Sequence, residues 1–128
     1  MTYETALRQA ASRIQTAGVD DETETQAALR LACHAFDSQA APDPTWALLG
    51  LDLLAVQAEL YPDPAPIAIT VARPPTVDTP VRAALADLVR ALANVYGQAS
   101  ARPEQATGRR FVYASAASRL DRVARGLA

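Results

Sequence analysis

The chain has 128 residues, of which 50% are apolar and 20% are charged. This length corresponds to about one domain, and this balance is typical of a chain that buries a core. Alanine occurs 29 times and lysine does not occur. The absence of lysine excludes enzymes that need a Schiff-base amine, a pyridoxal phosphate anchor or a phosphate-loop lysine.

The chain has a single cysteine, Cys33, and a single histidine, His34. These counts exclude an intramolecular disulfide and the multi-histidine or Cys/His clusters of zinc and di-iron sites, although an all-carboxylate magnesium or calcium site stays open. Adjacent residues of a helix point about 100° apart, so Cys33 and His34 cannot face each other as a nucleophile and its base. We predict no catalytic residue, no metal ligand and no cofactor.

Nothing at the start of the chain has the pattern of a signal peptide. The longest apolar runs, 46–51 and 67–72, are far shorter than the ~20 residues of a membrane span. We therefore expect a cytoplasmic protein without a membrane segment. The use of arginine without lysine, together with abundant alanine, suggests a bacterial source with a GC-rich genome.

Apolar residues at helical spacing predict a first helix from just after Thr2 to Ala17, ended by Gly18. A second helix, capped by Asp20 or Asp21, is expected to reach about Gln39. Its predicted core stripe lies opposite a polar side that includes Gln26.

A third helix is predicted from Pro44 to Leu60, with proline at its first position. It is apolar on nearly every side, so we expect it to be central and the most buried helix. Asp52 and Glu59 form its only polar stripe. They are expected to pair with an arginine such as Arg82 or Arg90, or to line a pocket.

Six prolines interrupt residues 62–80, here called the crossover segment. Within it, Ile67, Ile69 and Val71 alternate with smaller or polar residues, which is the period of an extended strand. The segment is predicted either to cover the helices of its own chain, which we favour, or to pair with the same segment of a second molecule.

A fourth helix is predicted to begin at Asp78-Thr79-Pro80 and to end near Ser100, and a fifth runs from Pro103 or Thr107 to the end of the chain. The expected fold is all-α, a single domain over residues 1–128. It is an antiparallel bundle of four to five helices with a long proline-rich crossover between helices 3 and 4.

Positive charge is concentrated at the end of the chain, where residues 102–128 hold six arginines against two acidic residues. On the fifth helix, Phe111 is predicted to point outward, among serines and arginines. An exposed aromatic ring beside arginines is typical of an interface anchor. The alternative places Phe111 in a frayed helix start or under the crossover segment. The predicted interaction surface comprises Phe111, Ser115, Ser118, Arg122 and Arg125, with Ile67, Ile69 and Val71 of the crossover segment.

These features favour a non-catalytic helical module for protein–protein interaction, such as an adaptor, accessory subunit or regulator. Its partner is expected to be another protein or a second copy of the same chain. The alternative is a helical enzyme that binds a small molecule or nucleotide through Asp52 and Glu59. A third hypothesis, nucleic-acid regulation through the basic last helix, is disfavoured because the chain is acidic overall and lacks lysine.

Overall fold

The computed structural model describes residues 1–36, 44–64, 66–71 and 77–128, and these form five α-helices and no strand. The helices are α1 (Tyr3–Ala17), α2 (Glu22–His34), α3 (Pro44–Leu60), α4 (Thr79–Ser100) and α5 (Thr107–Leu127). A single 3-10 turn, Gly18–Asp20, links α1 to α2. The predicted all-α bundle is confirmed.

The helix ends follow from capping residues in the sequence. The side chains of Thr2, Asp21 and Asp78 accept hydrogen bonds from the backbone N–H three residues later, at 3.1–3.2 Å. These bonds satisfy amide groups that the first helical turn leaves unpaired. Gly18 ends α1 with a φ of 64°, a conformation that a residue with a Cβ rarely adopts. The second helix ends at His34 rather than near Gln39, whose position lies outside the described residues.

The central helix of the bundle is α4, which packs against α1, α2 and α5. Ten of its 22 residues are buried. Four of them, Ala84, Ala86, Ala91 and Ala99, are small enough to let neighbouring helices approach closely. A helix that contacts three others needs apolar residues over a wide arc, and the sequence of α4 supplies them.

The prediction that α3 is the most buried helix is wrong. It packs against α2 and α5 at the side of the bundle. Leu48, Leu51 and Leu54 are 63%, 60% and 54% exposed. A helix that is apolar on every side has no face that the sequence marks as inward, so the remaining helices decide which face is buried.

The crossover segment has to travel the length of the bundle because α3 and α4 run in the same direction. At one end, Tyr61 after α3 meets Tyr96 near the end of α4. At the other end, the Arg82 guanidinium near the start of α4 lies 5.7 Å from the centre of the Trp46 ring near the start of α3. Extended backbone covers about 3.3 Å per residue against 1.5 Å in a helix, which suits this return path.

The described part of the crossover segment lies over the groove between α1 and α2, beside Ala10 and Ala28. Ile67, Ile69 and Val71 are half-buried while the residues between them are exposed, as the predicted alternation requires. No strand pairs with residues 66–71 in the part of the chain that is described. Residues 66–71 therefore cover helices of their own chain, and their larger apolar side chains point toward them.

A matched pair of truncations tests the positions of α3 and α4. Leu88→Ala, at a site with no exposure, is expected to lower the free energy of unfolding by about 2–5 kcal/mol because it leaves a cavity. Leu51→Ala makes the same chemical change on the exposed side of α3 and is expected to change it by about 0.5 kcal/mol or less. Urea unfolding, followed by the fluorescence of Trp46 at sub-micromolar concentration, measures both. Equal losses would contradict the assignment of α4 as the central helix.

Candidate interaction surface

One side of α3 forms an exposed apolar surface, here called the α3 face. It consists of Ala47, Leu48, Leu51, Leu54, Ala55 and Ala58. Ala55 is half-buried and the other five residues are exposed. None of the six carries an ionisable group. Scattered apolar residues on a protein surface are ordinary, but a contiguous group of large ones marks a contact site.

The α3 face arises because α3 has two apolar sides and buries one of them. Trp46, Leu49, Leu53, Val56 and Leu60 recur every three or four residues and point into the core. The α3 face lies on the opposite side of the helix. The sequence contained a signal for this exposed side, because α3 has more apolar residues than a single buried stripe requires.

An apolar groove adjoins the α3 face where α3 meets the end of α2. The rings of Phe36 and Trp46 stack there, with centroids 4.2 Å apart and planes 25° apart. A Cβ at Gly50 would lie 3.1 Å from the Phe36 ring, so glycine allows this close approach. The groove encloses about 320 Å³, and Leu51 and Leu54 line its rim. It extends the apolar surface onto α2.

Phe111, the anchor predicted on α5, is 72% exposed. It lies in the second turn of α5, and its exposure disagrees with burial under the described part of the crossover segment. Ser118, Arg122 and Arg125 are also exposed, and Ser115 is half-buried. Phe111 is the only exposed large apolar residue on α5, whereas the α3 face has three.

Asp52 and Glu59 lie on the edge of α3 that faces α5. Asp52 pairs with Arg122 at 3.5 Å, and Glu59 pairs with Arg119 at 3.8 Å. The two acidic side chains are 33% and 36% exposed. The two carboxylates therefore do not converge in one buried pocket. Each forms a separate ion pair with an arginine of α5, at the boundary between the two helices.

The predicted partners Arg82 and Arg90 are wrong. The Arg82 guanidinium donates to the carbonyl oxygens of Gly126 and Leu127 at the end of α5, at 3.1 and 2.9 Å. Arg90 pairs with Asp87 on its own helix, at 3.1 Å. Both lie on α4, which does not run beside the acidic edge of α3.

The arginines near the end of the chain are engaged within the molecule. Besides Arg119 and Arg122, Arg102 pairs with Asp20 at 2.8 Å and Arg109 with Glu22 at 3.4 Å. Arg125 pairs with Asp121, and Arg110 donates to the Ser100 carbonyl at 2.9 Å. The positive charge that the sequence concentrates in residues 102–128 is thus largely compensated by acidic groups, most of them on other elements.

A buried chain of hydroxyl groups, which sequence reasoning missed, joins α2, the end of α3 and α4. The hydroxyls of Thr25 and Tyr61 lie 2.8 Å apart, as do those of Tyr61 and Tyr96. Thr25 donates to a backbone carbonyl, that of Asp21 or Glu22, so its oxygen accepts from Tyr61, which in turn accepts from Tyr96. Each hydroxyl donates once, and no proton is left without an acceptor.

Burial raises the pKa of both Tyr61 and Tyr96 above the ordinary value of tyrosine. Removal of the phenol from water disfavours its charged phenolate form. For Tyr96, the neighbouring Tyr61 raises the pKa further. The two phenols stay neutral and act as hydrogen-bond donors. The hydrogen bonds of the three hydroxyls tie α2, the end of α3 and α4 together.

The described residues hold no group of three or more His, Cys, Asp or Glu side chains that could bind a metal ion. Cys33 donates to the Gln57 side-chain oxygen at 3.3 Å. The ring of His34 lies 6.2 Å from the ring of Tyr3. Among the helices described, none is both long and apolar enough to cross a membrane.

Comparisons of the chain with protein-family models, with curated proteins and with solved structures found no match.

The tyrosines predict how stability depends on pH. The unfolded state releases phenol protons near pH 10, whereas the native state holds those of Tyr61 and Tyr96 to higher pH. The free energy of unfolding should therefore fall as pH rises above about 10, and this contribution should be fully present below that pH. The chain has no lysine to titrate in the same range.

Tyr96→Phe is the test of this assignment. It should lower stability at pH 8 by about 1 kcal/mol, because one buried hydrogen bond is lost. It should also flatten the decline between pH 9 and pH 11 in urea unfolding followed by circular dichroism. A decline as steep as that of the original chain would contradict the role of Tyr96.

The ion pairs of α3 give a further expectation. Asp52→Asn and Glu59→Gln should each change the free energy of unfolding by less than about 1 kcal/mol, because both pairs are partly exposed. Thermal and urea unfolding in low and high salt measure the change. A much larger loss from either variant would show that its carboxylate is more strongly coupled to the fold than its geometry indicates.

Proposed function

We propose that this chain is a non-catalytic helical module that binds a protein partner through the α3 face. The observation that carries the proposal is the exposure of Leu48, Leu51 and Leu54 on a helix side without ionisable groups. Acting as an adaptor, accessory subunit or regulator requires such a docking surface and no reactive group. Composition favours a bacterial cytoplasm as the setting.

Energetics support this use of the surface. Complete burial of one leucine side chain contributes about 1.5–3 kcal/mol, and each of the three leucines has more than half of its surface left to bury. Docking another helix along α3 would recover several kcal/mol in this way. An amphipathic helix laid against an apolar face is a common mode of protein recognition.

The two other hypotheses find less support. The enzyme hypothesis needs Asp52 and Glu59 to converge in a pocket, but each is paired with its own arginine at a partly exposed boundary. The nucleic-acid hypothesis needs free arginines to contact phosphates. Those of residues 102–128 are engaged with acidic side chains or backbone carbonyls of the same chain.

Site-specific photo-crosslinking tests the proposal. A photo-reactive amino acid at position 51 should give a discrete crosslinked species in the cells that make the protein. The same group at Gln15, an exposed residue of α1, serves as the background control. Adding Leu48→Glu to the chain labelled at position 51 should abolish the crosslink, because a charge would have to be buried in the interface.

A third labelled position, Phe111, separates the two exposed surfaces. Crosslinking from position 111 but not from position 51 would assign docking to α5 and overturn the role of the α3 face. Absence of specific crosslinks from both positions would overturn the interaction module itself.

A further inference from the structure

We infer that the partner of the α3 face is a second copy of this chain, whose own α3 packs antiparallel against it in a two-fold symmetric dimer. This inference rests on the proposed function, because it names the occupant of the same surface.

The spacing of the face fits lengthwise packing against another helix. Leu48, Leu51, Ala55 and Ala58 are separated by three, four and three residues. This is the alternation of the a and d positions of a heptad repeat, which keeps one seam of a helix against a partner helix. Leu54 flanks the seam on the side of the groove. A contact with a globular surface would not need this period.

The sizes of the side chains along the seam make it complementary to a second copy of itself only when the two helices run antiparallel. In an antiparallel pair, Leu48 lies opposite Ala58 of the second copy and Leu51 lies opposite Ala55. Every layer then contains one large and one small side chain, so the helix axes can stay evenly spaced. A parallel pair would place leucines against leucines and alanines against alanines. This gives two wide layers followed by two narrow layers, so the helix axes could not stay evenly spaced.

Charge is arranged so that the second copy is not repelled. The seam itself has no ionisable side chain. The two-fold axis passes near the middle of α3, next to Asp52. In such a dimer the Asp52–Arg122 pair of one copy would lie beside the same pair of the other, and Arg122, with 59% of its side chain exposed, would be open to contact either carboxylate. Acidic and basic groups then alternate along this edge.

The extent of the surface sets the strength of the dimer. The 17 residues of α3 span about 25 Å at 1.5 Å per residue. A stable dimer buries about 800 Å² per partner. One helical face of this length with its flanking groove supplies only part of that area, so the inferred dimer is reversible, with a dissociation constant in the micromolar range.

Sedimentation velocity over about 1–500 µM tests the second copy as partner. The unmodified chain should shift from monomer to dimer as its concentration rises. Leu51→Glu should weaken the dimer at least ~10-fold, because the charge would be buried opposite Ala55. The matched control is Phe111→Glu, which removes a similarly exposed apolar side chain and adds the same charge outside the face. It should dimerise like the unmodified chain.

Each contrary result in sedimentation overturns the inference. A chain that stays monomeric throughout has no self-complementary face. Dimers that persist in Leu51→Glu, or that are lost in Phe111→Glu, use another surface. Circular dichroism of both variants shows whether they keep the helical fold, which is expected because both sites are exposed.

Disulfide trapping tests the antiparallel register. In a Cys33→Ser background, the double variant Leu48→Cys and Ala58→Cys should form an interchain bond between positions 48 and 58. These positions are ten residues apart on one helix, about 15 Å, which is too far for a bond within a chain. Either single variant should crosslink little. Efficient crosslinking of Leu48→Cys alone would overturn the antiparallel arrangement.

The two levels of the proposal fail differently. A chain that is monomeric in sedimentation, yet is crosslinked from position 51 to a protein of another mass, keeps the α3 face as a docking site and loses the second copy as its partner. A chain that neither dimerises nor crosslinks from position 51 loses both.

Discussion

The burial of α4 is the constraint on which the rest of the structure depends. Its apolar arc is wide enough to pack against α1, α2 and α5. Leu85, Leu88 and Leu92 have no exposure at all. Once three helices surround α4, the remaining helix has to pack at the side, against α2 and α5. The position of α3, and with it the exposed α3 face, follows from this arrangement.

The placement of polar groups reinforces the same arrangement. Ion pairs such as Asp52–Arg122 and Arg102–Asp20 lie at helix boundaries, where water reaches them and each contributes little to stability. The hydroxyl groups of Thr25, Tyr61 and Tyr96, in contrast, are buried and form hydrogen bonds with one another. The described residues hold no group of three or more His, Cys, Asp or Glu side chains that could bind a metal ion, and the apolar surface of α3 is the feature that we propose for docking.

A parallel pair of helices explains the crossover segment. Because α3 and α4 point the same way, the chain must return between them along the whole bundle. Its described residues 66–71 lie over α1 and α2 and cover apolar residues of both helices. The segment that the sequence singles out by its prolines is therefore part of the fold. The surface that we propose for docking lies elsewhere, on α3.

The sequence by itself determined the helices, their caps and the extended character of the crossover segment, because these depend on residues near one another in the chain. Capping of α4 by Asp78 and the alternation at Ile67 are of this kind, whereas for α2 the sequence narrowed the cap to Asp20 or Asp21. Only the tertiary structure decided which side of α3 is buried, which arginines pair with Asp52 and Glu59, and that three hydroxyls meet. Those outcomes depend on which helices become neighbours, and an all-apolar helix such as α3 carries no local signal that selects its neighbours.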